Sequence, residues 1–200
     1  MKILFDENVA RFIAHVQADG CFSRERNYFR YFNKDLDLIK DFVDSVKMGF
    51  SLTCNLPYKG RTCYQIGFRN KSLALLLGKV SFQSKNWIIP NFILKGSDLI
   101  KCAYLQAFFD DESCVTFRKR KEGYDRSIRL QSINKNGLVQ LKQVLESLKI
   151  SSKLYGPIRE KYYEIKIMKR MDLTEFNNKI SFVNKSKKEK LLNAIKTYQN

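Results

Sequence analysis

The ten residues YLQAFFDDES (104–113) run an apolar helical pattern straight into three acids. Leu105, Phe108 and Phe109 recur at helical spacing, so one face asks for burial. Asp110, Asp111 and Glu112 follow at the end of the helix that already carries partial negative charge, where each acid costs roughly 0.3–1 kcal/mol unless a cation or ligand compensates. A positive partner is therefore expected close by.

An upstream stretch repeats the arrangement. FIAHVQADGC (12–21) is a second apolar helical run ending in an acid, and aligning Asp19 with Glu112 sets the copies 93 positions apart. After each acid comes an alternating segment, CFSRE (21–25) and CVTFRKR (114–120), with a Cys two residues past the acid both times. A polar turn leads to a second strand, NYFRYFNK (27–34) and SIRLQSINK (127–135). These end in Asn33-Lys34 and Asn134-Lys135, now 101 apart, so the second hairpin is eight residues longer.

An amphipathic helix follows in each copy. Leu36, Ile39, Phe42, Val43 and Val46 are matched by Leu138, Leu141, Val144, Leu145 and Leu148, the spacing of one buried helix face. Further hairpins are expected where SLTCNLPY (51–58) turns at Lys59-Gly60 into TCYQIGF (62–68), and where SKLYGPI (152–158) turns near Arg159 into YYEIKI (162–167). Short helices around 72–77 and 173–180 close each unit. The class is α+β, two tandem units of helix, hairpin, helix, hairpin, helix. VSFQSKNWIIPNFILKGSD (80–98) reads as the linker, its periodicity broken by Trp87, Pro90 and Gly96, with its apolar residues pinned to one domain and Ser97 or Asp98 capping the next helix. NKSKKEKLLNAIKTYQN (184–200) reads as a last basic helix, either solvated or contacting phosphate.

Composition bounds the partners. The chain has 200 residues with 37 Lys plus Arg against 20 Asp plus Glu, a formal charge of +17 that attracts polyanions. No apolar run reaches membrane-spanning length, and MKILFDENVA (1–10) turns acidic too early for a signal peptide, so an intracellular, non-secreted protein with no membrane partner is expected. Five cysteines, odd in number and without CxxC spacing, accompany a single histidine, His15, which argues against a disulfide framework or a zinc site.

FIAHVQADGC and LQAFFDDES resemble the paired signature helices of the LAGLIDADG homing endonucleases, in the monomeric, two-motif, pseudo-dimeric subclass. The resemblance covers nearly the whole chain. It implies two αββαββα domains, 1–94 with the linker and 95–200, related by a pseudo-twofold axis, whose antiparallel sheets form a saddle on DNA. The signature helices then cross at Ala14 and Ala107, with His15 packed or hydrogen bonded at that interface. The last acid of each motif maps to Asp19 and Glu112, expected to bind a divalent metal at a site that needs phosphates to complete it. Mg²⁺ is expected there, with Mn²⁺ as a substitute and Ca²⁺ bound without cleavage. Two departures stand out: Gln17 replaces the inner Asp of the first motif, and Ser113 the final Gly of the second. Asp110 and Asp111 stay open between capping or pairing and metal binding.

The resemblance also brings Asn33, Lys34, Asn134 and Lys135 near the catalytic centre, where Lys would stabilise phosphate charge and Asn orient water; a helix N-cap is the competing role for either Asn. Period-two alternation from the acids puts Ser23 and Glu25, then Thr116, Arg118 and Arg120, on the face opposite Phe22, Val115 and Phe117. The second strands add Tyr28, Arg30, Arg129 and Gln131, and the second hairpins Thr53, Gln65, Glu164 and Lys166, as DNA-facing candidates. Because the halves differ on this face, the expected target is a long, asymmetric double-stranded DNA site cut by a monomer, one phosphodiester per strand. An intron RNA maturase and a cleavage-inactive DNA-binding protein of the same fold are the alternatives.

Overall fold

A computed structural model describes residues 4–198. The N-terminal half runs α1 (Glu7–Ala18), β1 (Gly20–Ser23), β2 (Tyr28–Asn33), α2 (Leu36–Phe50), β3 (Tyr58–Lys59), β4 (Tyr64–Arg69) and α3 (Lys71–Leu76). A short α4 (Asn91–Leu94) lies in the linker. The C-terminal half runs α5 (Asp98–Glu112), β5 (Ser113–Arg120), β6 (Gly123–Ser132), α6 (Lys135–Ser147), β7 (Lys153–Ile158), β8 (Tyr162–Ile167) and α7 (Arg170–Lys179), followed by α8 (Lys185–Lys196).

Helix starts follow local chemistry. Asp6, Asp35, Asn70, Ser97, Asn134 and Asn184 each accept a hydrogen bond from a first-turn backbone N–H of α1, α2, α3, α5, α6 and α8. Ser97 is the cap of α5, leaving Asp98 as a favourable first-turn acid.

Two antiparallel four-stranded sheets carry the same order, β1-β2-β4-β3 and β5-β6-β8-β7, so the sequence repeat is a repeat of topology. In the first, Phe29, Tyr31, Ile66 and Phe68 point inward; in the second, Val115, Ile128, Leu130, Ile165 and Ile167 do. Between the sheets, α1 packs along α5, with Ala14 and Ala107 both fully buried. Small residues there let the two backbones approach. The sequence pattern asked for one buried face on α5, but Ala103, Tyr104, Leu105 and residues 107–110 are all buried. The helix is enclosed by α1 on one side and its own sheet on the other.

Two expected strands are shorter than their patterns. β1 stops at Ser23 and residues 24–27 form the turn, so Glu25 sits exposed at the hairpin tip instead of on a strand face. Residues 52–57 form no ladder before the two-residue β3, with only Asn55 N–H donating to the Gly67 carbonyl at 3.0 Å, so Thr53 is exposed and off the sheet. The linker's Trp87 and Ile89 are buried against the C-terminal half: the Trp87 ring lies 4.8 Å from that of Phe108, and the Ile89 N–H donates to Gln140 at 2.8 Å. The five cysteines are free, and no helix among the described residues is long and apolar enough to cross a membrane.

Candidate active site at the paired helix ends

The two signature helices end side by side. Asp19 is the C-cap of α1, its N–H donating to the His15 carbonyl, and Glu112 is the last residue of α5. Gly20 follows Asp19 because nothing larger fits: a Cβ there would sit 2.5 Å from the Val16 Cα and 2.8 Å from the Arg30 carbonyl oxygen. Ser113, its counterpart, is extended and buries its hydroxyl by donating to the Phe109 carbonyl at 2.6 Å, which accounts for its tolerance in the second copy.

Negative charge is concentrated here. Partial burial, then the charge of Asp111, pushes Asp19 up to about 7, while Lys187 and His15 pull the other way. Glu112 is raised to about 7 by the protein crowding the helix end, then by Asp19 and Asp111. The cation that the sequence called for is Lys187, brought in by α8: its ammonium donates to the Phe109 carbonyl at 3.3 Å and to the Asp110 carbonyl, at the negative end of α5. Burial lowers the Lys187 pKa, and the facing acids Asp110, Asp111 and Asp19 oppose that. A half-open cavity of about 350 Å³ flanks Glu112, lined by Gln17, Trp87, Phe108, Gln131 and Tyr162.

Asp110 and Asp111 point away from the Glu112 carboxylate into separate roles. Asp110 accepts from the backbone N–H groups of Val183 (2.8 Å) and Asn184 (3.1 Å) at the start of α8; burial raises it to about 6 despite those bonds. Asp111 accepts from Tyr31 Oη (2.6 Å) and Asn33 Nδ2 (3.1 Å), and pairs with His15 Nδ1 at 2.8 Å. The other His15 nitrogen pairs with Asp41 at 2.9 Å, and Arg11 also holds Asp41 at 3.0 Å. Burial alone would lower the His15 pKa, but with a carboxylate on each ring nitrogen it rises to about 9, so the ring is an imidazolium.

The Asn-Lys pairs divide unequally. Asn33 Nδ2 reaches Asp19 at 3.3 Å as well as Asp111. Asn134 is buried and occupied elsewhere: it donates to the Trp87 carbonyl (2.6 Å) and accepts from the Gly137 N–H (3.0 Å), the capping role that competed for it in the sequence. Lys34 and Lys135 are exposed, Lys135 lying 5.6 Å over the Tyr163 ring, and neither makes a hydrogen bond or ion pair with the acids.

The sheets present the opposite face outward. Register places Ser23 opposite Tyr28, Arg30 opposite Gly67 and Gln65 opposite Phe32, so Ser23, Tyr28, Arg30 and Gln65 share the face away from the core. In the second sheet Arg129 pairs with Lys166 and Gln131 with Glu164, on the same face as Thr116, Arg118 and Arg120. Glu164 is nearly buried there, accepting from Gln131 at 2.9 Å with Arg129 at 3.9 Å, so it orders its neighbours as much as it offers a contact.

The comparisons fit this geometry. Residues 100–181 match the LAGLIDADG-like domain family. Among solved structures, the chain is similar to mesophilic variants of the homing endonuclease I-DmoI, with a TM-score of 0.62 at 17% identity over 88% of this chain and 90% of that one. I-DmoI in complex with DNA and Mn matches with a TM-score of 0.62 at 15% identity, over 88% and 97%. Full-length DUF199/WhiA from Thermatoga maritima matches with a TM-score of 0.67 at 12% identity, over 98% of this chain and 62% of that one. No curated protein matches in sequence.

Residues 100–181 thus match a LAGLIDADG-like domain, and the whole chain has the two-domain fold of these structures.

Within this fold the degenerate motif positions acquire reasons. Gln17 stands where the second motif has Asp110, and both side chains pin the segment that leaves their own domain. Gln17 donates to the carbonyls of Ser81 (2.9 Å) and Ile88 (3.0 Å) and accepts from Tyr104 at 2.7 Å, whereas Asp110 accepts two backbone N–H groups. Amide and carboxylate follow from the polarity of what they hold. Tyr31, Asp41, Arg11 and Lys187 were not singled out in the sequence. Tyr31 was accessible by alternation, being two residues from Asn33 on one strand face; Lys187 carried no local signal.

Asp19 and Glu112 offer two carboxylates of the kind a hard divalent cation takes, with Asp111 raising the pKa of both and Asp19 that of Glu112 as well. No group of three or more His, Cys, Asp or Glu side chains among the described residues is arranged to hold a metal. Phosphate oxygens and water would complete the shell, as Mg²⁺ prefers.

Proposed function

We propose that this protein is a divalent-metal-dependent, site-specific double-stranded DNA endonuclease of the homing type, hydrolysing one phosphodiester on each strand of a long, asymmetric target. One observation carries the reading: the two signature helices bring one carboxylate each, Asp19 and Glu112, to a shared end beneath two sheets whose outward faces carry different basic and polar side chains. A bound cation would polarise the scissile phosphate and acidify an attacking water. Asp19 and Glu112 would hold it, Asn33 would fix the Asp19 carboxylate, and Lys187 would keep the three-acid cluster from repelling the DNA backbone before metal arrives. The outward residues Ser23, Tyr28, Arg30 and Gln65, and Thr116, Arg118, Arg120, Arg129, Gln131 and Lys166, would contact bases and phosphates along the grooves. That I-DmoI has been crystallised with DNA and Mn, and also with DNA and Ca, supports both partner and cofactor class.

A second reading, DNA binding without cleavage, is favoured by the commitment of Asn134 to capping, which leaves Glu112 without the amide partner that Asp19 has. One experiment separates the two. The protein is incubated with a plasmid library of randomised inserts, and bound and cut molecules are sequenced separately. Recovery of linear molecules broken at one sequence, dependent on Mg²⁺ or Mn²⁺, is expected. Enrichment of a bound sequence that stays intact with every divalent metal would assign the binding-only role.

A further inference from the structure

The two helix ends are pseudo-symmetric in backbone but not in what stands behind them. Under the alignment of Asp19 with Glu112, the mate of Asp111 is Ala18 and the mate of His15 is Phe108. Both charged residues thus occupy places where the other copy is apolar, and they touch each other across the domain boundary. The Asp111 side chain is fully buried, and each of its oxygens is taken: Oδ1 accepts from Tyr31 Oη and Asn33 Nδ2, and Oδ2 faces His15 Nδ1. Every one of those partners belongs to the N-terminal half. The cluster is balanced in charge, with the His15 imidazolium and Arg11 against Asp41 and Asp111. Arg11 closes it from the other side by donating to Asp41 and, at 2.7 Å, to Gln106 of α5. A buried charge is tolerated when it is paired and its hydrogen bonds are satisfied, and this set meets both conditions.

Its consequence reaches the candidate centre through one residue. The Asn33 amide that donates to Asp111 also donates to Asp19, while its oxygen accepts the Asp35 N–H at 3.0 Å. Among the described residues nothing equivalent stands behind Glu112, because Asn134 is turned to Trp87 and the start of α6. With both oxygens occupied, Asp111 is not free to act as a metal ligand; its geometry suits a key in a socket.

We propose that Asp111 is a positioning residue, keyed from the C-terminal half into the His15–Tyr31–Asn33 socket of the N-terminal half, which fixes Asp19 through Asn33 and so governs hydrolysis of one DNA strand and not the other. The strand assignment rests on the endonuclease reading; the control of Asn33 does not.

The test variant restores the pattern of the opposite copy, His15→Phe with Asp111→Ala, removing both members of the buried pair together so that no lone charge remains; Arg11 and Asp41 keep each other. Far-ultraviolet circular dichroism and a melting curve establish folding. Two measurements follow. With supercoiled plasmid bearing the target and Mg²⁺, wild type yields linear product, and the double variant is expected to accumulate nicked circles with the same strand intact in every molecule. The rate on that strand falls roughly 10–100-fold, as expected for a displaced reacting group, while gel-shift affinity stays unchanged. Equal loss on both strands would overturn the proposal. Separately, without DNA or metal, the Asn33 side-chain amide gives an NMR pair that is expected to be protected from exchange in wild type and averaged in the variant; an unchanged Asn33 pair would overturn it as well. If wild type cuts no DNA, the endonuclease reading fails while the Asn33 measurement still decides whether Asp111 positions the site. Should the double variant fail to fold, Tyr31→Phe supplies both readouts, since it removes one donor to Asp111 and one acceptor of the Asn33 amide while leaving the His15–Asp111 pair in place.

Discussion

The two halves share a topology and differ in how each holds its acid. Asp19 is braced by an amide, a tyrosine and an imidazolium network that crosses to the other domain, whereas Glu112 is flanked by a cavity and has Lys187 of α8 as its cation. The sheets differ too. β6 runs ten residues against six for β2, and β5 eight against four for β1. At about 3.3 Å per residue, each strand of the C-terminal hairpin is roughly 13 Å longer than its counterpart. Duplicated folds thus leave each copy free to specialise, provided the shared end remains.

Substituting the acids tests what the halves still have in common. Glu112→Gln and Asp19→Asn keep shape and remove charge, so cleavage is expected to fall to background in at least one strand for each, with affinity retained, because the proposed DNA contacts are spread over both sheets. Plasmid linearisation and gel shift measure this; full double-strand cutting by Glu112→Gln would remove that acid from the mechanism.

A smaller effect, of about 3 kcal/mol, is expected from pH and belongs to the N-terminal half. His15 has a folded pKa of about 9 against 6.5 when free, so its stabilisation is complete below about 6.5 and is lost as pH rises through 9. Melting temperature should therefore fall across that window, and the decline should flatten in the His15→Phe, Asp111→Ala variant. Asp19, Glu112 and Asp110 are also raised, so they favour the folded state at low pH and lose that contribution as pH rises to about 7, before most of the His15 loss sets in.

Lys187→Met belongs to the C-terminal half and removes a charged donor to two carbonyls, an expected loss of about 1.5–3 kcal/mol by chemical denaturation. No change would mean that solvent alone supports the end of α5. The least costly substitutions separate the sheets. Arg118→Ala, on the part of β5 that extends beyond the length of β1, should relax preference at base pairs distant from the cut by about 1–3 kcal/mol, while Arg30→Ala should act nearer to it. Uniform weakening on all sequences would make either side chain a phosphate contact.

Much of this was legible locally. Helix caps, apolar alternation and the duplicated acids are short-range patterns, and Asp19, Glu112 and the outward strand residues follow from them. What resisted reading depends on tertiary placement. Asn33 and Asn134 look identical in sequence, yet one ends a ladder facing the acids and the other meets a tryptophan from the linker. Lys187 is one of many lysines in a basic tail until α8 docks. Thr53 and Glu25 followed a strand pattern that the chain abandons: Glu25 lies in the turn at 24–27 and Thr53 in the segment 52–57 that forms no ladder.

The buried linker carries one more consequence. Gly137 leaves room for Trp87, since a Cβ there would lie 2.5 Å from the ring, while Gln17 of the opposite half grips the carbonyls of Ser81 and Ile88. The connector is thus a keystone wedged between two arches. Recombining this N-terminal half with a foreign C-terminal half would succeed only if residues 81–89 travelled with both of their seats, Gln17 and Gly137, so the duplicated halves are not interchangeable cartridges despite their matching outline.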